Sequence, residues 1–238
     1  MIQQGSADFP VHINALFLAL VMVVISLHVA LARRLGPRVM AMVLGPLLAW
    51  LTFVTMLGQL GFFEDFSSVP PRFLVAVVPP YVVMAVVLLL PRTPVALQRV
   101  PAAWLVGFQT FRVGVEMVLW LLYREGRVPT LMTFHGRNLD IIVGLTAPLV
   151  VYFCFQGHLL SPRFAVKWNV FGMLVLAHTV GSGILSAPTP FRVLASDPPN
   201  NFMGYFPYIL LPGFLVPSAF LWHLLSIRQL RAQQEARA

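Results

Sequence analysis

Residues 101–123 read PAAWLVGFQTFRVGVEMVLWLLY. The run is long and apolar enough for a helix that crosses a bilayer, which takes roughly 20 such residues. Its middle nevertheless carries Gln109, Arg112 and Glu116. At about 3.6 residues per turn these three positions share one helix face. A single charge at that depth is unfavourable by about 2.5–3.5 kcal/mol on insertion scales, so such groups turn into a bundle interior and find partners there. Arg112 and Glu116 stand four apart and can pair with each other. An oily helix with one polar stripe indicates a helical membrane bundle, and the stripe marks where function is to be sought.

Composition points the same way. Of 238 residues, 58% are hydrophobic and 10% charged, against about 25% charged in soluble domains. The formal net charge is +8, but the basic residues stand singly or in pairs between apolar runs. No basic face or nucleic-acid motif emerges, which excludes a nucleic-acid partner. Cys154 is the only cysteine, so no internal disulfide forms and a packing role is expected. The first apolar run follows MIQQGSADFPVH, without Lys or Arg, and precedes Arg33 and Arg34. That is the reverse of a signal peptide's charge order, so a retained first span is expected.

Seven segments have the length and hydrophobicity of spans: 11–32, 39–62, 72–90, 101–123, 138–156, 166–186 and 205–227. The expected fold is therefore an all-α integral membrane protein with seven transmembrane helices in a single polytopic domain, 1–238. Arg33, Arg34, Arg38, Arg92, Arg99, Arg163, Lys167, Arg228, Arg231 and Arg237 fall on one side. Arg72, Arg124, Arg127, Arg137 and Arg192 fall on the other. The richer side should be cytoplasmic, leaving the N-terminus outside and the C-terminus inside. The expected location is a bacterial inner (cytoplasmic) membrane. The outer loops are the longer ones, rich in Pro, acids and aromatics, and loops of that kind commonly carry function.

A faint repeat runs through the chain. Leu-Gly-Pro-Arg at 35–38 follows the first span and Leu-Ser-Pro-Arg at 160–163 follows the fifth. Pro70-Pro71 precedes the third span and Pro198-Pro199 the seventh, and both of those spans carry internal prolines. The pattern suggests parallel three-helix units, 8–92 and 133–231, joined by helix 101–123 in a 3+1+3 order. Duplicated bundles usually bind between their halves. This layout is similar to that of the SWEET sugar transporters, and the resemblance, which is one of architecture, implies three helices, a linker helix and three more with an external N-terminus. The family's Pro-Gln-type motifs are absent, so no binding residue carries over. Seven helices also suit microbial opsins, but their retinal sits on a lysine of the seventh helix. Here the only lysine is Lys167, at the start of the sixth span.

The candidate ligand-binding residues are Gln109, Arg112, Glu116, Arg137, Asn138, Asp140 and His178. Arg112 would attract a carboxylate, phosphate or other anion, and Glu116 would hold it or exchange a proton. A plain buried Arg–Glu tie between helices is the structural alternative. Asn138 suits a helix cap, with Asp140 in the first turn against the helix dipole. His178 and Ser182, four apart, could meet on one face, although Gly181-Ser182-Gly183 equally suits close helix packing. No histidine pair has the spacing of a metal site, so neither metal nor cofactor is expected. The leading expectation is a small transporter or permease-like protein with a polar, anion-compatible site open to the outer side. Its partners would be the lipid bilayer and a small polar or anionic ligand. The alternatives are a membrane-embedded enzyme using Glu116, Asp140 and His178 on a lipid-like substrate, or a non-catalytic subunit or assembly factor that meets an oligomer or complex partner.

Overall fold

A computed structural model describes residues 9–90 and 96–236. Among these residues there are seven helices and no strand. They are α1 (Val11–Leu35), α2 (Pro37–Gln59), α3 (Leu74–Leu89), α4 (Ala102–Arg124), α5 (Asp140–Gln156), α6 (Pro162–Ser186) and α7 (Val216–Glu235). Four of them, α1, α2, α4 and α6, are each long and apolar enough to cross a membrane, while α3 and α5 are apolar but shorter. Arg92 and Arg237, and the first unit's bounds at 8 and 92, lie outside the described residues.

Local chemistry explains most boundaries. Gly36 separates α1 from α2 at φ +114°, a left-handed value that glycine adopts without a Cβ penalty. Pro37 and Pro162 open α2 and α6 from their first turns, where a proline has no helical N–H bond to lose. The seventh helix departs most from expectation. Residues 205–209 are apolar but form a tight loop, with Tyr208 and Ile209 fully buried. A π-helical turn at Leu211–Leu215 then leads into α7, which continues to Glu235. The Gly213 carbonyl in that wide turn accepts a bond from Trp50 Nε1 on α2 at 2.9 Å.

α7 is the hub, packed against α3, α4 and α6. Its inward side buries Trp222, His223, Ser226 and Gln229. The two ends of the bundle are tied separately. At one end Arg99 bonds the Leu35 carbonyl at 3.2 Å, Arg228 bonds that of Leu88, and Gln229 bonds those of Leu97 and Val100 at 2.6 Å each. At the other, Phe9 packs edge-on to Tyr205 and Tyr208, and Asn200 donates to the Gly183 carbonyl at 3.1 Å. Helices consecutive in the chain therefore alternate in direction. Much of the periphery is bare hydrocarbon, including Val78, Val82, Val83 and Val86 along α3 and Leu174 on α6.

Candidate functional site

The stripe on α4 is buried as a unit: Gln109 and Glu116 are 0% exposed and Arg112 is 2% exposed. A short 3-10 turn at Phe108–Thr110 tightens the helix at Gln109, whose Nε2 donates to the Ala219 carbonyl of α7 at 3.1 Å. One turn on, Arg112 does not take Glu116 as its partner. Its Nη2 forms an ion pair with Asp140 Oδ1 at the start of α5, and Nη1 donates to His223 Nε2 on α7 at 3.2 Å. The physical cause is the close approach of α4 and α5 at Gly144. A Cβ there would stand 2.8 Å from both the Val113 nitrogen and its Cγ2. That approach presents Asp140 to the guanidinium.

The Arg112 bond sets the state of His223. A guanidinium has no acceptor, so Nε2 must be the unprotonated nitrogen. Nδ1 then carries the hydrogen and donates to Asn169 Oδ1 at 2.8 Å. The Asn169 amide in turn donates to the Ala165 carbonyl at 2.8 Å and to Ser226 Oγ at 3.1 Å. His223 is thereby held as a neutral imidazole.

Glu116 is served differently. Asn138 Nδ2 donates to Glu116 Oε1 at 2.5 Å and also reaches the Met132 carbonyl at 3.1 Å. Asn138 Oδ1 accepts the Asp140 N–H at 3.0 Å, so the side chain caps α5 while it clamps Glu116. The Thr179 hydroxyl on α6 lies 3.0 Å from Asn138 Oδ1 and 3.2 Å from Asp140 Oδ1, and donates to one of them at a time. The result is one chain of side chains, Glu116, Asn138, Thr179, Asp140, Arg112, His223 and Asn169, joining α4 to α7. Two of its atoms, Glu116 Oε2 and Arg112 Nε, are buried without a hydrogen-bond partner.

Beside them is a cavity of about 80 Å³, several times the roughly 10–15 Å³ that admits one water. Arg112, Glu116, Asn138, Asp140 and Thr179 form its polar end, and apolar side chains from α3, α4, α6 and α7 form the rest. Met132, Phe202 and Met203 from the connecting loops roof it and are buried. The more exposed lining residues are Val77 and Tyr81 on α3, Val180 and Ile184 on α6, and Pro212 and Val216 by the π turn. The cavity thus opens sideways, between α3 and α6, through the apolar flank of the bundle.

Of the residues singled out in the sequence, Arg112, Glu116, Asn138 and Asp140 come together. Gln109 is buried one turn away, on its own partner. Arg137 and His178 are exposed and stand outside the cluster, and Thr179 rather than His178 faces inward. His223 and Asn169 are additional members. A span ending at 227 sets His223 near a helix end, whereas it is the midpoint of the helical stretch 211–235. The polar face His223, Ser226 and Gln229 was the available signal. Among the described residues no group of three or more His, Cys, Asp or Glu side chains could hold a metal ion.

No curated protein and no solved structure matches the chain. A family model described as a domain of unknown function, DUF8737, matches residues 70–231. That segment contains α3 to α6, α7 as far as Arg231, and every residue of the buried cluster. With more than half of its length matched, the chain belongs to the DUF8737 family.

Proposed function

We propose that this protein crosses the membrane seven times, N-terminus outside and C-terminus cytoplasmic, as a transporter or permease-like protein for a small amphiphilic ligand. The observation that carries the reading is the cavity that reaches Arg112 and Glu116. A merely structural polar tie has no need of open space beside it. The oily walls and the sideways opening suit a molecule with one polar end and an apolar body, entering from the outer half of the bilayer. The exposed hydrocarbon around the bundle suits lipid better than water. One wall comes from α3, in the first candidate three-helix unit, and the others from α4 and the second unit. A binding place between units that move against each other is the usual arrangement in carriers. A bacterial inner membrane is the proposed location.

Thiol accessibility tests this in a Cys154→Ala background. With Val180→Cys, a lipid-soluble methanethiosulfonate should react and 1-decanol should slow the reaction. With Gln109→Cys, a membrane-impermeant reagent should react from the cytoplasmic face, as an inward-facing state requires. Labelling at 180 with no reaction at 109 from inside would leave binding without passage. It would favour the second reading, an enzyme acting on a lipid-like substrate with Glu116 as acid or base. The apolar walls suit that reading too.

A further inference from the structure

The charges around the cavity narrow the chemistry of its occupant. Arg112 is matched by Asp140, and His223 is neutral because its Nε2 accepts from the guanidinium. That leaves Glu116 as the carboxyl group with no cation of its own among the described residues. Asn138 holds Oε1 in place. Oε2 has no partner, its residue is 0% exposed, and the side chain lines the cavity. A buried acceptor without a donor is costly, and a buried carboxylate without a cation more so. A ligand that supplies both removes both penalties.

We infer that the cavity receives a cationic amphiphile, a primary alkylammonium head donating to Glu116 Oε2 with its alkyl chain lying toward the gap between α3 and α6. This inference rests on the binding cavity proposed above and replaces the anion expected from Arg112 with a cation. An anionic head would meet two carboxyl groups at a site whose single guanidinium is already matched by Asp140. The ammonium supplies the missing charge and the missing hydrogen bond together. The chain would lie along Phe73, which caps α3, and Val77 and Tyr81 on α3, which follow one another at four-residue intervals and line one wall.

The test compares three probes of equal chain length: decylamine, 1-decanol and decyl sulfate. Each is added at the same mole fraction to neutral phosphatidylcholine liposomes holding the Val180→Cys, Cys154→Ala protein, and slowing of methanethiosulfonate labelling is read. Decylamine should protect at a concentration at least tenfold below that of 1-decanol, with decyl sulfate weakest. Adding Glu116→Gln should bring decylamine to the level of 1-decanol. Equal protection by all three probes, or preference for decyl sulfate, overturns the cationic head while leaving the cavity standing. No protection by any probe overturns the cavity reading as well. Should Glu116→Gln fail to fold, Tyr81→Trp, which narrows the apolar wall, should weaken all three probes and keep their order. A changed order there would also overturn the assignment.

Discussion

Gly172 of α6 faces the ring of His223 on α7 so closely that a Cβ at 172 would stand 2.5 Å from the imidazole Cε1 and 2.8 Å from Nε2. The glycine is therefore the floor on which the imidazole rests, and through it Arg112 finds a second partner. Gly172→Ala should push the ring aside and break the Arg112–His223–Asn169 run. Overpacking of this kind destabilises by about 1–3 kcal/mol. Thermal unfolding in detergent should show the loss for Gly172→Ala. Adding His223→Ala, which removes the clash, should make the double variant's loss smaller than the sum of the single losses. Strict additivity would show that the two residues do not act on each other.

The Arg112–Asp140 pair makes a second prediction, about sign. Arg112→Met leaves the Asp140 carboxylate buried without its cation, and the expected loss of stability is about 3–5 kcal/mol. Asp140→Leu strands the guanidinium in the same way. The double variant Arg112→Met, Asp140→Leu removes both charges and should recover most of that loss, since buried pairs replaced by apolar groups are often neutral. Chemical denaturation of the three variants checks this. If the double variant is as unstable as the two losses added, Arg112 and Asp140 do not act on each other as the ion pair between α4 and α5 requires.

How much of this was readable beforehand follows from what hydropathy reports. The first six helices sit within a few residues of their apolar runs, because a buried or lipid-facing helix must be apolar along its length. The seventh is displaced because Tyr208 and Ile209 are apolar for another reason: they belong to a loop that is itself core. Periodicity likewise placed Gln109, Arg112 and Glu116 on one inward face, which requires only the helix pitch. Partner choice is a different matter. Arg112 turns to Asp140 because Gly144 lets α5 come close, and helix adjacency is not written in the pitch of any one helix. His178 and Thr179 show the same limit, since the angle between neighbouring positions decides which faces the cluster, and only the packing of α6 against α5 and α7 sets it.

The close approach itself gives the third prediction. At Gly144 the added methyl of Gly144→Ala would meet the Val113 backbone nitrogen at 2.8 Å, and a backbone atom cannot swing away as a side chain can. α4 and α5 must separate, lengthening the Arg112–Asp140 contact. The expected result is a loss of about 1–3 kcal/mol from overpacking. Gly181 on α6, with nothing within 4 Å of the corresponding position, is the control: Gly181→Ala should be neutral or slightly stabilising, since alanine is the better helix former. Melting curves of the two variants side by side decide it, and equal melting temperatures would count against close contact at 144.

The last prediction concerns the clamp on Glu116. Two of the bonds made by the Asn138 amide bear on it: Nδ2 holds Glu116 Oε1 at 2.5 Å and Oδ1 caps the Asp140 N–H at 3.0 Å. Asn138→Asp keeps the shape and the cap but sets a carboxylate oxygen where the donor was, facing another carboxylate. Like charges at that separation repel, and a buried charge stripped of its hydrogen bond adds to the penalty. The single variant should be strongly destabilised, by more than Asn138→Ala, which loses the cap and clamp without adding repulsion. Glu116→Gln alone keeps the shape and an oxygen to accept from Asn138, and it removes a buried carboxyl group that has no cation of its own, so it should be the mildest of the single changes. Combined, Asn138→Asp and Glu116→Gln exchange amide and carboxylate between the two positions, so the glutamine donates where the asparagine once did. The double variant should therefore be more stable than Asn138→Asp alone, measured by thermal unfolding of all four proteins at one pH. A double variant no better than Asn138→Asp would mean that the bond between these two side chains does not hold Glu116 at the cavity's edge.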